Sequence, residues 1–154
     1  MSKTNAMRIL DKEKVDYEVL SYEAKDGLID GISVASKIEK DVKEVYKTLV
    51  GQGKEQVYVF IIPVDQELDL KKAAEVTNEK KVELIHVRDI QKLTGYIRGG
   101  CSPIGMKKNY QTFIHQSIIQ QEFIYISAGL RGLQIKMNPK DLISITNGVV
   151  CDLI

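Results

Sequence analysis

The sequence lacks an excess of either charge, and this absence excludes one broad class of nucleic-acid-binding proteins. Its 154 residues carry 22 Lys and Arg against 21 Asp and Glu, a formal net charge of +1. A protein that coats duplex nucleic acid needs many cationic contacts with phosphates, so no DNA partner is expected. Recognition of a short nucleic-acid end in a pocket needs only a few groups and is compatible with this charge.

Cysteines and long apolar runs are also scarce. Cys101 and Cys151 are the only cysteines, too few for a disulfide scaffold and typical of a reducing compartment. The longest apolar run, residues 57–64, is far shorter than the roughly 20 residues that span a bilayer. The first 19 residues contain no apolar core of signal-peptide length. These observations predict a cytoplasmic protein without a membrane partner.

The two histidines show no spacing typical of a metal site or a catalytic triad. His86 and His115 lie in runs without obvious acidic or nucleophilic partners, so no Ser-His-Asp set can be recognised. No short spacing joins these histidines to the two cysteines as metal ligands would require. No cofactor is therefore expected, and both histidines are interpreted as structural.

The secondary-structure signals that are present mix helices and strands in one chain. Apolar residues make up 44% and charged residues 28%, typical of a globular protein, and the length fits a single domain over residues 1–154. Helical patterns cover residues 4–14, 33–40, 70–78, 82–95 (after a short strand) and 138–147, and strand patterns cover 15–19, 57–64, 111–118, 122–127, 133–137 and 148–154. Because strands and helices do not alternate regularly, the sequence predicts an α+β fold.

Lys47, in the segment "KEVYKTLV", has two interpretations. A helix would place Lys47 on a solvated face, opposite an apolar stripe formed by Val42, Val45, Tyr46, Leu49 and Val50. A strand would place it between Val45 and Leu49 on one face of a sheet, where an amine needs a partner or a pocket. Gly51 and Gly53, followed by an apolar run, favour a hairpin. The pattern alone leaves both interpretations open.

Two glycine-containing segments are candidates for the walls of a pocket. The loop "YIRGGCSPIGMKKN", residues 96–109, cannot be a regular helix or a central strand, and its glycines would let backbone groups approach a ligand closely. The hairpin "YISAGLRGLQI", residues 125–135, has small residues at its bend and a serine that could donate or accept a hydrogen bond. Each segment taken alone is also compatible with an ordinary surface turn.

These segments occur in an order that resembles the YbaK/EbsC family. "VYKTLV", "GYIRGGCSPIG" and "YISAGLRGLQI" are similar to the motifs of free-standing relatives of the prolyl-tRNA synthetase editing domain, and the likeness runs nearly end to end. The resemblance implies an α+β fold with a curved, barrel-like mixed sheet surrounded by helices. It also implies a trans-acting aminoacyl-tRNA deacylase that removes a wrong amino acid, above all cysteine, from tRNA(Pro). A sister branch removes alanine.

The resemblance also implies site residues. Lys47 matches the family's essential lysine, on a strand and facing the pocket. The G-x-x-x-P loop that lies against the tRNA 3′ end corresponds here to Gly99, Gly100, Cys101, Ser102 and Pro103. Ser127 and Gly129 match the small-residue hairpin, and Tyr22 lies about where relatives have an aromatic residue near the substrate. Gln134 stands where many relatives carry an acid, so no acidic role is carried over to it.

Several alternatives for chemistry and partners stay open at this point. Without a nucleophile set, catalysis would come from positioning and charge stabilisation by Lys47. The resemblance suggests attack by the substrate's own thiol to release a thiolactone, with water attack as the alternative. A competing hypothesis makes Cys101 the nucleophile, with His86 or His115 as its general base. The alternative from another functional class is a non-catalytic module that binds the tRNA end or prolyl-tRNA synthetase without hydrolysis.

Overall fold

The computed structural model describes residues 2–154, which form five α-helices and eight β-strands. The helices are α1 (Asn5–Lys12), α2 (Gly31–Lys37), α3 (Leu70–Thr77), α4 (Ile90–Thr94) and α5 (Pro139–Thr146). The strands are β1 (Tyr17–Ser21), β2 (Tyr46–Gln52), β3 (Val57–Pro63), β4 (Glu83–Leu84), β5 (Gln111–His115), β6 (Ile124–Ser127), β7 (Leu133–Met137) and β8 (Val149–Cys151). No helix within the described residues has the length and apolarity of a membrane span.

Three of the helices predicted from the sequence begin at or next to side-chain caps. The side chain of Thr4 accepts a hydrogen bond from the backbone N–H of Met7 at the start of α1. Asp69 caps α3 in the same way, and Asn138 caps α5 just before a proline that needs no N–H partner. Each cap satisfies a backbone donor that the first helical turn leaves free, so these predicted helix starts are confirmed.

The strands form two sheets, which confirms the α+β class. The five-stranded sheet has the order β4-β2-β3-β5-β8 and mixes parallel with antiparallel pairs. The three-stranded sheet has the order β1-β7-β6 and is antiparallel. The sheets meet at an isolated parallel bridge between Val45 and Tyr125. The barrel-like closure of a single sheet is not confirmed, because the described strands stay divided between these two sheets.

Lys47 lies on a strand. Strand β2 pairs along its whole length with β3 in an antiparallel hairpin, and Lys47 is opposite Ile62. Most of β3 is fully buried, so its backbone groups need a strand partner on each side, which β2 and β5 provide. Gly51 belongs to this hairpin, where a Cβ would come within 2.9 Å of the Phe60 ring. Pairing of β2 with the buried strand β3 therefore decides between the helix and strand interpretations of "KEVYKTLV" and places Lys47 on a strand.

Apolar side chains cover both faces of the five-stranded sheet. On one face Ile61 and Ile114 pack with residues of α1, α5 and the three-stranded sheet. On the other face Phe60 stacks on Phe113 with ring centroids 5.8 Å apart. A third, smaller cluster fills the junction between the sheets and includes Tyr125. The candidate site lies beside this junction, between the two sheets.

Candidate functional site

A cavity of about 380 Å³ opens where the two sheets separate. Strands β2 and β6 run parallel at the Val45–Tyr125 bridge, and a continued register would place Lys47 opposite Ser127. Among the described residues this pairing does not continue beyond the bridge, and β2 next pairs with β4, from Gly51 onward. The cavity is lined by residues from four parts of the chain: Ile29, Asp30, Gly31, Ile32, Val34, Val45, Tyr46, Lys47, Thr48, Leu49, Val64, Arg98, Gly99, Cys101, Ser127 and Gln134.

Lys47 brings a half-buried ammonium group to the cavity wall. Burial lowers its pKa from the usual lysine value, because desolvation penalises the charged form, while the carboxylates of Glu67 and Asp65 partly oppose this shift. Within residues 2–154 its Nζ makes neither a salt bridge nor a hydrogen bond. A desolvated cation without a protein partner can interact with an anionic group of a ligand.

The glycine-rich loop reaches the cavity because it packs closely against neighbouring backbone. Gly99 has a φ of +81°, and a Cβ there would lie 2.6 Å from Cδ1 of Ile29. At Gly100 a Cβ would lie 3.1 Å from the backbone nitrogen of Arg131. The Nε of Arg131 donates to the carbonyl oxygen of Arg98 at 2.8 Å and ties the loop to the hairpin. Glycine is therefore needed at both positions to keep loop and hairpin together.

Cys101 lies on the same loop, with a largely enclosed thiol. Burial raises the pKa of this thiol to about 11, and the neighbouring Thr94 hydroxyl, 4.0 Å from Sγ, only partly opposes that shift. Neither histidine lines the cavity. His115 is buried, and its Nδ1 accepts a hydrogen bond from the backbone N–H of Leu153, while His86 lies at a separate surface depression. The structure therefore does not bring together the groups that a cysteine nucleophile would need.

Ser127 ends strand β6 and lines the opposite wall of the cavity. Its Oγ accepts a hydrogen bond from the backbone N–H of Gly129 at 3.2 Å, and its own proton remains available to a ligand. The following residue, Ala128, has its carbonyl oxygen fixed by the Thr4 hydroxyl at 2.5 Å. Because Thr4 also caps α1, the first helix and the hairpin of the site are held by one side chain.

The structure brings four of the predicted site residues into the cavity wall: Lys47, Gly99, Cys101 and Ser127. The others lie outside its lining: Tyr22, Gly100, Ser102, Pro103 and Gly129. Ser102 is fully buried, and its Oγ accepts from the backbone N–H of Ile104, which shapes the loop from within. The hydroxyl of Tyr22 is buried and has no hydrogen-bond partner in the described part of the chain, and its ring lies under the Lys37 ammonium group.

The cavity also contains residues that the sequence did not single out as contacts. Asp30 and Ile32 come from the start of α2, and Arg98 comes from the glycine-rich loop. Gln134 on β7 is buried and faces the same cavity. Asp30 caps α2, which begins at Gly31 and not at Ser33 as the sequence pattern suggested, and its carboxylate accepts from Ser33. Its nearness to β2 depends on tertiary packing.

Comparisons with known proteins match most of the chain. A family model described as "Aminoacyl-tRNA editing domain" matches residues 31–145. The chain is 43% identical to the "Putative Cys-tRNA(Pro)/Cys-tRNA(Cys) deacylase EbsC" of Enterococcus faecalis (strain ATCC 700802 / V583), covering 98% of this chain and 93% of that protein.

Two solved structures share the fold at low sequence identity. The crystal structure of "a putative trans-editing enzyme for prolyl tRNA synthetase" superposes with a TM-score of 0.85 at 21% identity, covering 99% of this chain and 98% of that one. The "hypothetical protein APE2540" superposes with a TM-score of 0.89 at 20% identity, covering 97% and 99%.

Proposed function

We propose that this chain, which belongs to the aminoacyl-tRNA editing domain family, is a free-standing deacylase that removes cysteine wrongly attached to tRNA(Pro). The choice of cysteine is supported by the 43% identity to the relative whose name describes a Cys-tRNA(Pro)/Cys-tRNA(Cys) deacylase. The expected substrate is the aminoacylated 3′ end of the tRNA.

The observation that carries the proposal is the half-buried ammonium group of Lys47 in the cavity, which makes no salt bridge or hydrogen bond with residues 2–154. A desolvated charge in a cavity interacts with a developing negative charge far more strongly than the same charge in water. In an aminoacyl ester, negative charge develops on the carbonyl oxygen as the ester is attacked. Lys47 is proposed to stabilise that oxygen or the neighbouring terminal phosphate, and the Ser127 proton supplies a second donor.

Burial raises the pKa of the Cys101 thiol to about 11 and no histidine lines the cavity within residues 2–154, so the substrate is proposed to supply the nucleophile. The sulfur of the cysteinyl group forms a bond with its own ester carbonyl carbon, and the bond from that carbon to the ribose oxygen breaks. The thiol proton is transferred to the ribose oxygen, and a cyclic thiolactone leaves. The protein contributes orientation and charge stabilisation, each of which can supply several kcal/mol of barrier lowering.

Arg98, which lines the cavity, and Arg131, which is hydrogen-bonded to the backbone of Arg98, support tRNA as the partner. The exposed Arg98 and Arg131 lie beside the exposed apolar side chains of Ile97 and Leu130. Cations next to apolar surface suit an unpaired nucleic-acid end, since its phosphates pair with the cations and its bases stack on the apolar groups. Prolyl-tRNA synthetase is a further proposed partner, which would present tRNA(Pro) to the cavity.

The test is deacylation of tRNA(Pro) charged with cysteine, alanine or proline by the purified protein. The proposal expects rapid loss of cysteine and slow loss of proline. Faster loss of alanine than of cysteine would identify an Ala-tRNA(Pro) deacylase instead. Binding of the charged tRNA without loss of any amino acid would contradict the enzymatic proposal and favour a non-catalytic module.

A further inference from the structure

Asp30 is a charged residue of the cavity that the proposed chemistry has not used. Of the described residues that line the cavity, it alone carries a carboxylate, and Lys47 and Arg98 carry the cationic groups. Asp30 is exposed, so a ligand can reach its charge. Within residues 2–154 it forms no salt bridge with Lys47 or with any other cation. A cavity that keeps an anion and a cation apart fits a ligand that carries both charges.

The packing on either side of Asp30 fixes this residue on a wall of the cavity that is separate from strand β2. On one side, Cδ1 of Ile29 lies 2.6 Å from where a Cβ on Gly99 would be. On the other side, Cβ of Val64 lies 2.5 Å from where a Cβ on Gly31 would be. Ile29 therefore packs on the glycine-rich loop, and Gly31 packs on the residue that follows β3. Asp30 lies between these two contacts, both of which involve residues of the cavity lining.

Two hydrogen bonds from Ser33 hold the carboxylate of Asp30 in place. One comes from the backbone nitrogen of Ser33 at 3.1 Å and the other from its hydroxyl at 2.6 Å, each to a different carboxylate oxygen. They hold the pKa of Asp30 below its usual value, so the group is an anion at neutral pH. A carboxylate oxygen can accept more than one hydrogen bond. Both oxygens therefore keep room for a donor brought by a ligand.

We propose that the carboxylate of Asp30 binds the α-ammonium group of the aminoacyl ester. This inference rests on the proposed function. The α-ammonium is the cationic donor of the substrate, and a carboxylate is its strongest acceptor, whereas Lys47 and Arg98 repel it. With Lys47 at the ester oxygen or the terminal phosphate and Asp30 at the amino group, the substrate is held at two points. Rotation about its Cα–Cβ bond then brings the thiol to the carbonyl carbon.

The test compares Asp30→Asn with the wild type on two esters of tRNA(Pro). One ester carries cysteine and the other 3-mercaptopropionate, which has the thiol but no amino group. On the cysteinyl ester the variant should lose about 10-fold in kcat/KM, the lower end of the range for a hydrogen bond to a charged group, because the carboxylate is exposed to water. On the amino-free ester the variant and the wild type should react at the same rate. Equal losses on both esters, or no loss on either, would overturn the inference.

A matched variant separates this contact from helix capping and from a general effect of charge. Asparagine caps helices about as well as aspartate, so the melting temperature of Asp30→Asn should match that of the wild type. Asp69→Asn is the control, since Asp69 caps α3 with its carboxylate and lies outside the cavity lining. That variant should keep the wild-type rate on both esters. A loss on the cysteinyl ester as large for Asp69→Asn as for Asp30→Asn would refute a direct contact.

Binding of a stable analogue separates this inference from the proposed function. The probe is adenosine with cysteine joined to its 3′ position by an amide, measured by calorimetry beside its amino-free counterpart. The wild type should bind the first probe more tightly, and Asp30→Asn should weaken that binding about 10-fold without changing binding of the second. This result would support the ammonium contact even for a protein that hydrolyses no tRNA. A wild-type affinity for the first probe no higher than for the second would refute the contact, even for an active deacylase.

Discussion

Replacing Cys101 by alanine should leave deacylation almost unchanged. A thiol with a pKa of about 11 is ionised at neutral pH to about one part in ten thousand. The reactive thiolate is therefore nearly absent, and no histidine reaches the cavity to generate it. We expect the rate of Cys101→Ala to lie within about threefold of wild type. The lost sulfur should lower the free energy of unfolding by about 1 kcal/mol, because a small void replaces a half-buried group.

The assay is single-turnover deacylation of Cys-tRNA(Pro), run beside a urea melt. Cys151→Ala is the matched control, since Cys151 is the other free cysteine and lies outside the cavity. Both variants should keep their rates. A loss of about a thousandfold or more confined to Cys101→Ala, with the fold intact, would refute this reasoning, because removal of a covalent nucleophile has effects of that size.

Three further predictions concern pH, stability and metals. The rate should fall as the pH rises through the pKa of Lys47, which burial lowers below the usual lysine value; a rate that is flat to the usual lysine pKa would contradict a role for the ammonium group. Thr4→Val should lower the free energy of unfolding by about 1–2 kcal/mol, since it removes a helix cap and the hydrogen bond to Ala128; an unchanged denaturant midpoint would count against this link. Excess chelator should not change the rate, and a loss reversed only by a metal ion would show that one is required.

The elements with local signals could be predicted from the sequence. Side-chain capping by Asp69 and Asn138 joins residues two or three positions apart, so both helix starts follow from the sequence. Lys47 is different, because both a helical and a strand period fit its segment. Its pairing with Ile62 on β3 decides the structure, and that contact joins residues from different segments. Periodicity alone did not decide between helix and strand for this segment. The family resemblance predicted the strand and the lysine facing the pocket.

The full lining of the cavity could not be predicted, because it depends on how distant segments pack. In "LQIKM" the apolar residues Leu133, Ile135 and Met137 alternate with polar ones, a pattern that would leave Gln134 facing solvent. Gln134 is buried instead, because the same face of the small sheet is covered where the two sheets meet. Leu20, opposite Gln134 on β1, packs there with residues of α2 and the β2 end of the larger sheet.

Deacylation of Cys-tRNA(Pro) by Lys47→Ala tests the central claim most directly. Single-turnover rates should be measured with circular dichroism and a thermal melt, and with Lys43→Ala as the control, since Lys43 is an exposed lysine outside the cavity. The account predicts at least about a 100-fold loss of rate for Lys47→Ala, the scale for removing one charge-stabilising group. The melting temperature of Lys47→Ala should equal that of the wild type, and Lys43→Ala should keep the wild-type rate. Lys47→Arg should also react slowly, because a planar guanidinium does not replace a compact ammonium. A rate for Lys47→Ala close to that of the wild type would contradict the account.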